Sequence, residues 1–180
     1  PATCGRVCPQ ENQCEGRCVR GIKGEAVSIG KLERFVADWS RENGFVPKAA
    51  ETKLGKKVAV IGAGPAGLVV ANQLNLKGYA ITLFDKDEAA GGLLRFGIPN
   101  FKLDKNVIDR RIRILTAEGI QFKFGTEIDV NHLPEGFDAY CICTGTPTAR
   151  DLNIPGRELK GIYFALEMLS QQNRILAGQN

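Results

Sequence analysis

The sequence is poor in several residue types that mark particular kinds of active site. It has one His, one Met and one Trp among its 180 residues. The single histidine, His132, has no cysteine, histidine or carboxylate pattern around it, so we predict that it lies at the surface. No nucleophile and base occur in a recognisable triad context. The sequence therefore assigns no catalytic acid, base or nucleophile.

Charge of one sign and long apolar runs are also scarce. The formal net charge is only +4, and no stretch gathers five or six Lys and Arg residues, which argues against a nucleic-acid groove. The longest apolar run, Val58–Leu74, is interrupted by three glycines and Pro65, and it is too short for a membrane span. No secretory signal is visible, and we expect a cytoplasmic protein. Because the chain opens at Pro1 without an initiator Met, we also expect an upstream piece.

Residues 57–93 are the most informative part of the chain. The apolar segment Lys57–Ile61 runs into the glycine-rich turn Gly62–Gly67, a helical segment follows, and a second apolar strand ends at Asp85. This order of strand, glycine turn, helix, strand and acid is typical of a site that cradles a dinucleotide pyrophosphate and then holds its ribose. A sheet that needs glycines only for packing is the alternative interpretation.

Each glycine of the turn has a predicted task. Gly62 allows the tight exit from the strand, Gly64 lets the backbone approach the pyrophosphate, and Gly67 lets the helix pack closely on the sheet. The pyrophosphate then meets free N–H groups at the positive end of the helix dipole, along the turn that also contains Ala63, Pro65 and Ala66.

Asp85 lies 23 residues after Gly62, where a carboxylate can accept hydrogen bonds from both ribose hydroxyls. The same carboxylate would repel a 2′-phosphate, so we do not expect NADP at this particular site. Gly91-Gly92-Leu93 follows closely and would permit a second close approach of backbone to the nucleotide. The strand end Cys143-Thr144-Gly145 supplies another contact point.

The rest of the chain predicts an α/β fold with an N-terminal helical segment. Ser28 can cap a helix through Asn43 with a buried apolar stripe. The later elements are predicted as follows: helix 65–77, strand 80–84, helix 104–118, strand 120–124, strand 139–143 and helix 162–172. We assign residues 1–45 to the end of a helical domain, 46–56 to a linker and 57–180 to a Rossmann-like domain.

Six cysteines are present, and four of them, Cys4, Cys8, Cys14 and Cys18, lie within 15 residues. Their spacing matches neither the common ferredoxin patterns nor the paired CxxC of a zinc ribbon. The cytosolic context favours a zinc ion or an iron–sulfur cluster over disulfides. Buried free thiols are the alternative. We interpret Cys141 and Cys143, which alternate along a strand, as core thiols.

Several motifs together resemble one family, the small (beta) subunit of NADPH-dependent glutamate synthase. They are Cys4–Pro9, Cys14–Cys18, Gly62–Gly67, Gly91–Leu103 and Asp151–Leu159. Relatives of this family include the large subunit of NADH-dependent ferredoxin–NADP oxidoreductase and the N-terminal half of dihydropyrimidine dehydrogenase. The resemblance covers essentially the whole chain, and the run GGLLRFGIPNFKL is highly specific.

The resemblance implies a helical domain with two [4Fe–4S] clusters, followed by an FAD domain into which an NAD(P)H domain is inserted. It implies that FAD, rather than NAD, occupies the site at Gly62–Gly67. To the cofactor-binding residues Gly92, Leu93, Thr144 and Gly145 it adds Lys86, Lys102 and Ile128. It implies that Cys8, Cys14 and the non-cysteine ligand Glu33 bind one cluster, and that Cys18 binds the other.

The chain departs from this family pattern at both ends. The resemblance places the remaining cluster cysteines upstream of Pro1, and it places the start of the inserted NAD(P)H domain near Asn180. We therefore interpret the chain as a fragment whose clusters are incomplete and which is inactive by itself.

Three functions stay open at this point. The first is a flavin/iron–sulfur oxidoreductase that passes electrons to a glutamate synthase large subunit. The second is ferredoxin–NADP(H) electron exchange with a ferredoxin-type acceptor subunit. The third is a non-catalytic dinucleotide-binding module.

Overall fold

The computed structural model describes residues 2–45 and 51–179. Within this part the chain forms a short N-terminal helical segment and an α/β unit, so the predicted α/β class is confirmed. The helices and strands, in chain order, are α1 (Thr3–Val7), α2 (Ile29–Glu42), β1 (Lys57–Ile61), α3 (Pro65–Leu76), β2 (Ala80–Phe84), α4 (Leu93–Phe96), α5 (Lys105–Ala117), β3 (Gln121–Lys123), β4 (Ala139–Ile142) and α6 (Ala165–Leu176).

The four strands form one parallel sheet in the order β3-β2-β1-β4. β1 and β2 are central, and all of their residues after the first are buried. Such nearly continuous apolar strands are expected where both faces of a parallel sheet are covered. Because β1 pairs with both β2 and β4, the turn after β1 lies beside the carboxyl ends of both neighbours.

The hydrophobic core lies between the sheet and the helices α3 and α5. Val60, Leu83 and Leu115 are fully buried in it, and Leu68 of α3 packs against them. Each such side chain contributes about 1.5–3 kcal/mol by leaving water. The helix α5 begins after Asp104, whose carboxylate accepts a hydrogen bond from Asn106 N at 2.9 Å, as predicted for a cap.

The apolar stripe predicted to be buried on α2 is exposed, and this prediction was wrong. Its five residues are between 43% and 65% exposed: Ile29, Leu32, Phe35, Val36 and Trp39. The short helix α1 packs on the opposite face of α2, where a Cβ on Gly5 would lie 2.6 Å from Gly30 O. Gly5 has no Cβ and so lets the backbone of α1 approach that of α2 closely, and α1 leaves the apolar stripe of α2 open.

An ion pair joins the two N-terminal helices. Asp38 on α2 accepts a hydrogen bond from the Arg6 guanidinium at 2.5 Å. Ser28 flanks α2 as predicted, but its side chain makes no capping hydrogen bond.

Element ends differ from the predicted ones by up to four residues. The largest difference is in α6, which ends at Leu176 instead of Gln172 and begins at Ala165 instead of Ile162. Phe164 N donates to Glu167 Oε2 at 3.3 Å and so marks the start of the helix. The predicted linker 46–56 lies partly outside the described residues, which resume at Glu51. In the described part of the chain, no helix is long and apolar enough to cross a membrane.

Candidate dinucleotide site

The turn after β1 is shaped by Gly62, which has a φ of 104°. A Cβ at this position would lie 2.4 Å from Cys143 O, the carbonyl that follows β4. Only glycine satisfies both the left-handed backbone and this close approach. The turn is therefore fixed against the end of the neighbouring strand.

Gly67 brings α3 against the same turn. A Cβ on Gly67 would lie 1.8 Å from Gly62 O, which is far inside contact distance. The residue is buried, and the helix continues through Leu76. Its function in the structure is the close packing of helix on turn, as the sequence predicted.

Gly64 differs from the other two glycines, because nothing lies within 4 Å of the Cβ it would carry. It is the residue before α3, and Pro65 occupies the first helical position. Its φ of −72° is accessible to any residue, so backbone conformation does not require a glycine here. The open space above it lies at the start of a 12-residue helix, where backbone N–H groups are free to bind an anion.

Asp85, the residue directly after β2, lies beside this turn. Its Oδ2 accepts a hydrogen bond from Ala63 N at 2.5 Å, and its Oδ1 accepts one from Asp87 N at 2.9 Å. The carboxylate is thus held at the glycine turn while remaining half-buried. The neighbouring Lys86 is exposed.

A second pair of glycines lies against the first turn. Gly91 N donates to Ala63 O at 2.9 Å, and a Cβ on Gly92 would lie 2.9 Å from Gly64 Cα. Gly92 has a φ of 49°, which also favours glycine. The two glycine segments therefore meet backbone to backbone, with the exposed Leu93 following.

The end of β4 forms a further side of the site. Cys143 N donates to Ile61 O at 2.7 Å, which places Thr144 and Gly145 beside the turn. Both residues are exposed, and nothing lies within 4 Å of a Cβ built on Gly145.

Two predicted cofactor residues, Lys102 and Ile128, lie away from the glycine turn in the hydrogen-bond network of the described residues. Among the described residues, no hydrogen bond or ion pair links Lys102 or Ile128 to the glycine segments. Lys102 is exposed in the loop before α5, and Ile128 is half-buried after β3.

Three polar residues near the site were missed by sequence reasoning. Lys105 donates to backbone carbonyls of the segment that follows Gly92. Asn173 of α6 is buried, and its Nδ2 donates to Phe96 O at 3.0 Å. Arg174 is paired with Asp87 and Glu88. None of these residues lies in a motif, so no local pattern distinguishes them from solvated helix residues.

The ionisable groups beside the turn are perturbed by burial and by one another. Burial, followed by the nearby Asp85 carboxylate, raises the pKa of the Asp87 carboxyl, while Arg174 acts in the opposite direction. Cys141 Sγ and Cys143 Sγ lie 3.8 Å apart, half-buried against the core. Burial, followed by the neighbouring Cys141, raises the pKa of Cys143 to about 11. Both cysteines pack against the hydrophobic core, as predicted.

The predicted cluster ligands are not gathered into a metal site. In residues 2–45 and 51–179, no three His, Cys, Asp or Glu side chains form a group that could hold a metal ion. Cys8 Sγ donates to Gln13 Oε1 at 3.2 Å, Cys14 is exposed, and Glu33 is exposed on α2. The backbone N–H of Val27 is the largest cause that lowers the pKa of the Cys18 thiol. The described residues do not fit a complete [4Fe–4S] cluster.

The described residues do fit a dinucleotide. Nothing lies within 4 Å of a Cβ built on Gly64 or on Gly145, the Asp85 carboxylate is hydrogen-bonded to Ala63 next to Gly64, and Gly92 packs against Gly64 without a side chain. This is the shape that a pyrophosphate flanked by a ribose requires.

Two curated proteins similar to this chain are glutamate synthase small chains. The 47% identical glutamate synthase [NADPH] small chain of Bacillus subtilis matches over 94% of this chain and 35% of its own length. That of Azospirillum brasilense is 40% identical over 99% of this chain and 38% of its own length. These relatives confirm the resemblance found in the sequence. The chain spans little more than a third of the length of either relative.

A solved structure of Mycobacterium tuberculosis FprA in complex with NADPH shares the fold. The TM-score is 0.58 at 23% identity, and the match covers 66% of this chain and 29% of that one. Residues 1–45 match the family described as dihydropyrimidine dehydrogenase domain II, 4Fe-4S cluster. Residues 56–180, more than half of the chain, match the family described as pyridine nucleotide-disulphide oxidoreductase. The chain therefore belongs to the pyridine nucleotide-disulphide oxidoreductase family.

Proposed function

We propose that this chain supplies the FAD-binding part of an oxidoreductase that passes electrons between NAD(P)H and an acceptor subunit, as in a glutamate synthase small chain. The observation that carries the proposal is the open space over Gly64 at the start of α3. Asp85 is hydrogen-bonded to the adjacent Ala63, and Gly92 packs directly against Gly64.

The pyrophosphate would bind along the glycine turn. Backbone N–H groups at the start of α3 would donate to its oxygens, and the positive end of the helix dipole would stabilise its charge. The residues proposed to take part are Gly62, Ala63, Gly64, Pro65, Ala66 and Gly67. Of the three glycines in this turn, only Gly64 faces open space, so the pyrophosphate would come closest to the protein backbone there.

The ribose would be held by Asp85, with Lys86 beside it. A carboxylate accepts hydrogen bonds from two hydroxyls and repels a phosphate, which favours FAD or NAD over NADP at this site. The flavin half would then extend past Gly92 and Leu93 on one side and Thr144 and Gly145 on the other. Lys102 and Ile128 remain proposed contacts further along the cofactor.

FAD, when bound, would supply the redox chemistry by accepting a hydride and passing electrons on singly. The residues of this chain contribute binding and orientation, and no acid or base among them is needed. NAD(P)H would bind on a separate domain, as the sequence resemblance implies.

The activity of the whole protein is proposed from its relatives. The small-chain relatives support a glutamate synthase large subunit as the acceptor partner. A ferredoxin-type subunit is the second candidate partner. We propose a cytoplasmic location, and we propose Cys8, Cys14, Cys18 and Glu33 as cluster ligands that need further ligands to complete a site. The family match of residues 1–45 supports this assignment.

Titration of the 180-residue chain with FAD, followed by the quenching of flavin fluorescence, tests the proposal. We expect saturable 1:1 binding, competition by NAD⁺ at higher concentration and weaker competition by NADP⁺. A folded chain that binds no FAD at 100 μM, or that prefers NADP⁺, would contradict it. If the chain binds no FAD, a non-catalytic module would remain as the candidate function.

A further inference from the structure

Lys105, the first residue of α5, gathers three backbone carbonyl oxygens around its ammonium group. Nζ lies 3.1 Å from Leu94 O, 2.5 Å from Ile98 O and 3.3 Å from Leu103 O. A lysine ammonium has three N–H donors and no acceptor, so three carbonyls match its full donor set. The arrangement resembles a small cation site whose cation is tethered to the chain.

The three carbonyls come from the two ends and the middle of residues 93–103, so this segment folds around the nitrogen. In the described turns and loops, no backbone N–H donates to any of the three oxygens. Backbone carbonyls that are removed from water need a donor. Lys105 Nζ donates hydrogen bonds to all three carbonyl oxygens.

A second set of interactions, made by Arg95, links the same segment to α5. Arg95 Nε donates to Ala90 O at 2.6 Å, and its guanidinium pairs with Asp109 of α5. Lys105 and Asp109 lie one helical turn apart, so both hold the segment from the same helix. Burial, followed by the positive charge of Arg95, lowers the pKa of Lys105.

The segment begins directly after Gly92, at the wall of the dinucleotide site. Because a Cβ on Gly92 would already lie 2.9 Å from Gly64 Cα, a small displacement of the segment changes the width of the site. The ammonium group is therefore linked to the glycine turn through continuous backbone.

We propose that Lys105 is a positioning residue whose ammonium group is the template around which residues 93–103 fold, and that it thereby fixes the Gly91–Gly92 wall of the dinucleotide site. The expected effect of Lys105 on ligand binding at the Gly91–Gly92 wall rests on the proposed function, because that function identifies the ligand as FAD. The folding of the segment does not, and it can be measured without any ligand.

Amide hydrogen exchange in the FAD-free chain tests whether Lys105 holds residues 93–103 in their folded conformation. In Lys105→Ala we expect the amides of Phe96, Gly97 and Leu103 to exchange at least about tenfold faster than in the parent chain, because their segment opens. In the matched control Lys77→Ala, an exposed lysine at the end of α3, we expect no change. Parent-like exchange in Lys105→Ala would overturn the proposal.

Chemical rescue separates the ammonium group from general loss of packing. We expect n-propylammonium to restore slow exchange in Lys105→Ala, because it supplies three N–H donors on a short apolar stem. Tetramethylammonium at the same concentration has the same charge but no N–H donor, and we expect no rescue by it. Equal rescue by both cations, or rescue by neither, would overturn the template role.

FAD binding provides the second readout. We expect Lys105→Ala to weaken FAD binding at least about tenfold, with recovery in n-propylammonium. Parent-like FAD affinity in this variant would overturn the effect on the wall. If the parent chain itself binds no FAD, the proposed function fails, while the exchange data still decide the role of Lys105.

Acylation of the parent chain keeps the proposal testable if Lys105→Ala does not fold. A water-soluble acetyl ester should modify the exposed Lys160 early and Lys105 last, because the nitrogen of Lys105 is enclosed by carbonyls. Early modification of Lys105 by mass spectrometry would overturn it.

Discussion

The Asp85 carboxylate and the Ala63 backbone N–H lie 2.5 Å apart, so the acid that follows β2 is hydrogen-bonded to the glycine turn that follows β1. The other carboxylate oxygen accepts from Asp87 N at 2.9 Å. Asp85 therefore supports the turn in the ligand-free chain, in addition to its proposed contact with ribose. A test of this residue must separate stability from binding.

Asp85→Ala should lower both the FAD affinity and the free energy of unfolding. We predict an FAD affinity at least about tenfold weaker, because the ribose hydroxyls lose a charged acceptor. We also predict a loss of about 1–3 kcal/mol in the free energy of unfolding, since two backbone N–H groups lose their partner. Flavin content after dialysis and urea unfolding measure the two effects.

Asp138→Ala is the matched control. Asp138 accepts a hydrogen bond from Lys57 N at 2.8 Å at the other end of β1. Its removal should also lower stability, but FAD affinity should not change. If Asp85→Ala retained as much flavin as Asp138→Ala, the ribose assignment would be wrong.

Asn173 connects α6 to the segment beside the dinucleotide site. Its Nδ2 donates to Phe96 O at 3.0 Å and to Leu169 O at 2.9 Å. We predict that Asn173→Ala lowers the free energy of unfolding by about 1–3 kcal/mol, because a buried carbonyl loses its donor. Gln172→Ala, on an exposed face of the same helix, should stay within about 0.5 kcal/mol of the parent in urea unfolding. Similar values for the two variants would show that Asn173 does not anchor α6.

The stabilisation from the ion pair between Arg6 of α1 and Asp38 of α2 should depend on pH. The Arg6 guanidinium is the largest cause that lowers the pKa of Asp38 below 3.8, with Arg41 and Arg34 acting in the same direction. Because the folded state lowers this pKa, the stabilisation is fully present above 3.8 and is lost as the pH falls through the folded value. An NMR titration of the Asp38 carboxyl carbon should therefore give a midpoint below 3.8.

Two arginine variants test the cause of that shift. Arg6→Ala should return the midpoint most of the way to 3.8, whereas Arg34→Ala should move it less, because Arg34 is more exposed and lies 3.5 Å away. The opposite order would contradict the assignment of the ion pair.

Iron content tests the N-terminal segment. Since the described residues bring no three potential ligands together, we predict that the chain, as purified, holds little or no iron and acid-labile sulfide. Values near two [4Fe–4S] clusters, about eight atoms of each element, would contradict this account.

The α/β unit was predictable because its signals are local. Gly78 ends α3, and the run Ala80–Phe84 is the strand that was predicted, since it places the three β-formers Ile81, Thr82 and Phe84 between a glycine and an acid. The apolar spacing on α2 correctly predicted a helix but not its environment. Periodicity shows that a face is apolar, but it does not show what packs against that face.

The site was predictable to the extent that it consists of glycines and one acid at fixed spacing. The hydrogen bond from Ala63 to Asp85 could not be predicted, because it depends on how the two strand ends meet. The carbonyls around Lys105 are likewise separated along the chain and are brought together only by the fold. A lysine one residue after a helix cap looks, in sequence, like any solvated lysine.

The most direct test of the dinucleotide cradle compares Gly64→Leu with Gly67→Ala. Nothing lies within 4 Å of a Cβ on Gly64, whereas a Cβ on Gly67 would lie 1.8 Å from Gly62 O. We predict that Gly67→Ala loses at least about 2 kcal/mol of stability through overpacking. Gly64→Leu should stay folded, with its free energy of unfolding within about 1 kcal/mol of the parent, because its side chain enters open space.

FAD titration of Gly64→Leu is the decisive measurement. Its side chain would fill the space proposed for the pyrophosphate, so we predict that FAD affinity falls about 100-fold or more while the fold persists. A folded Gly64→Leu chain that binds FAD as tightly as the parent would show that the dinucleotide does not bind at this turn.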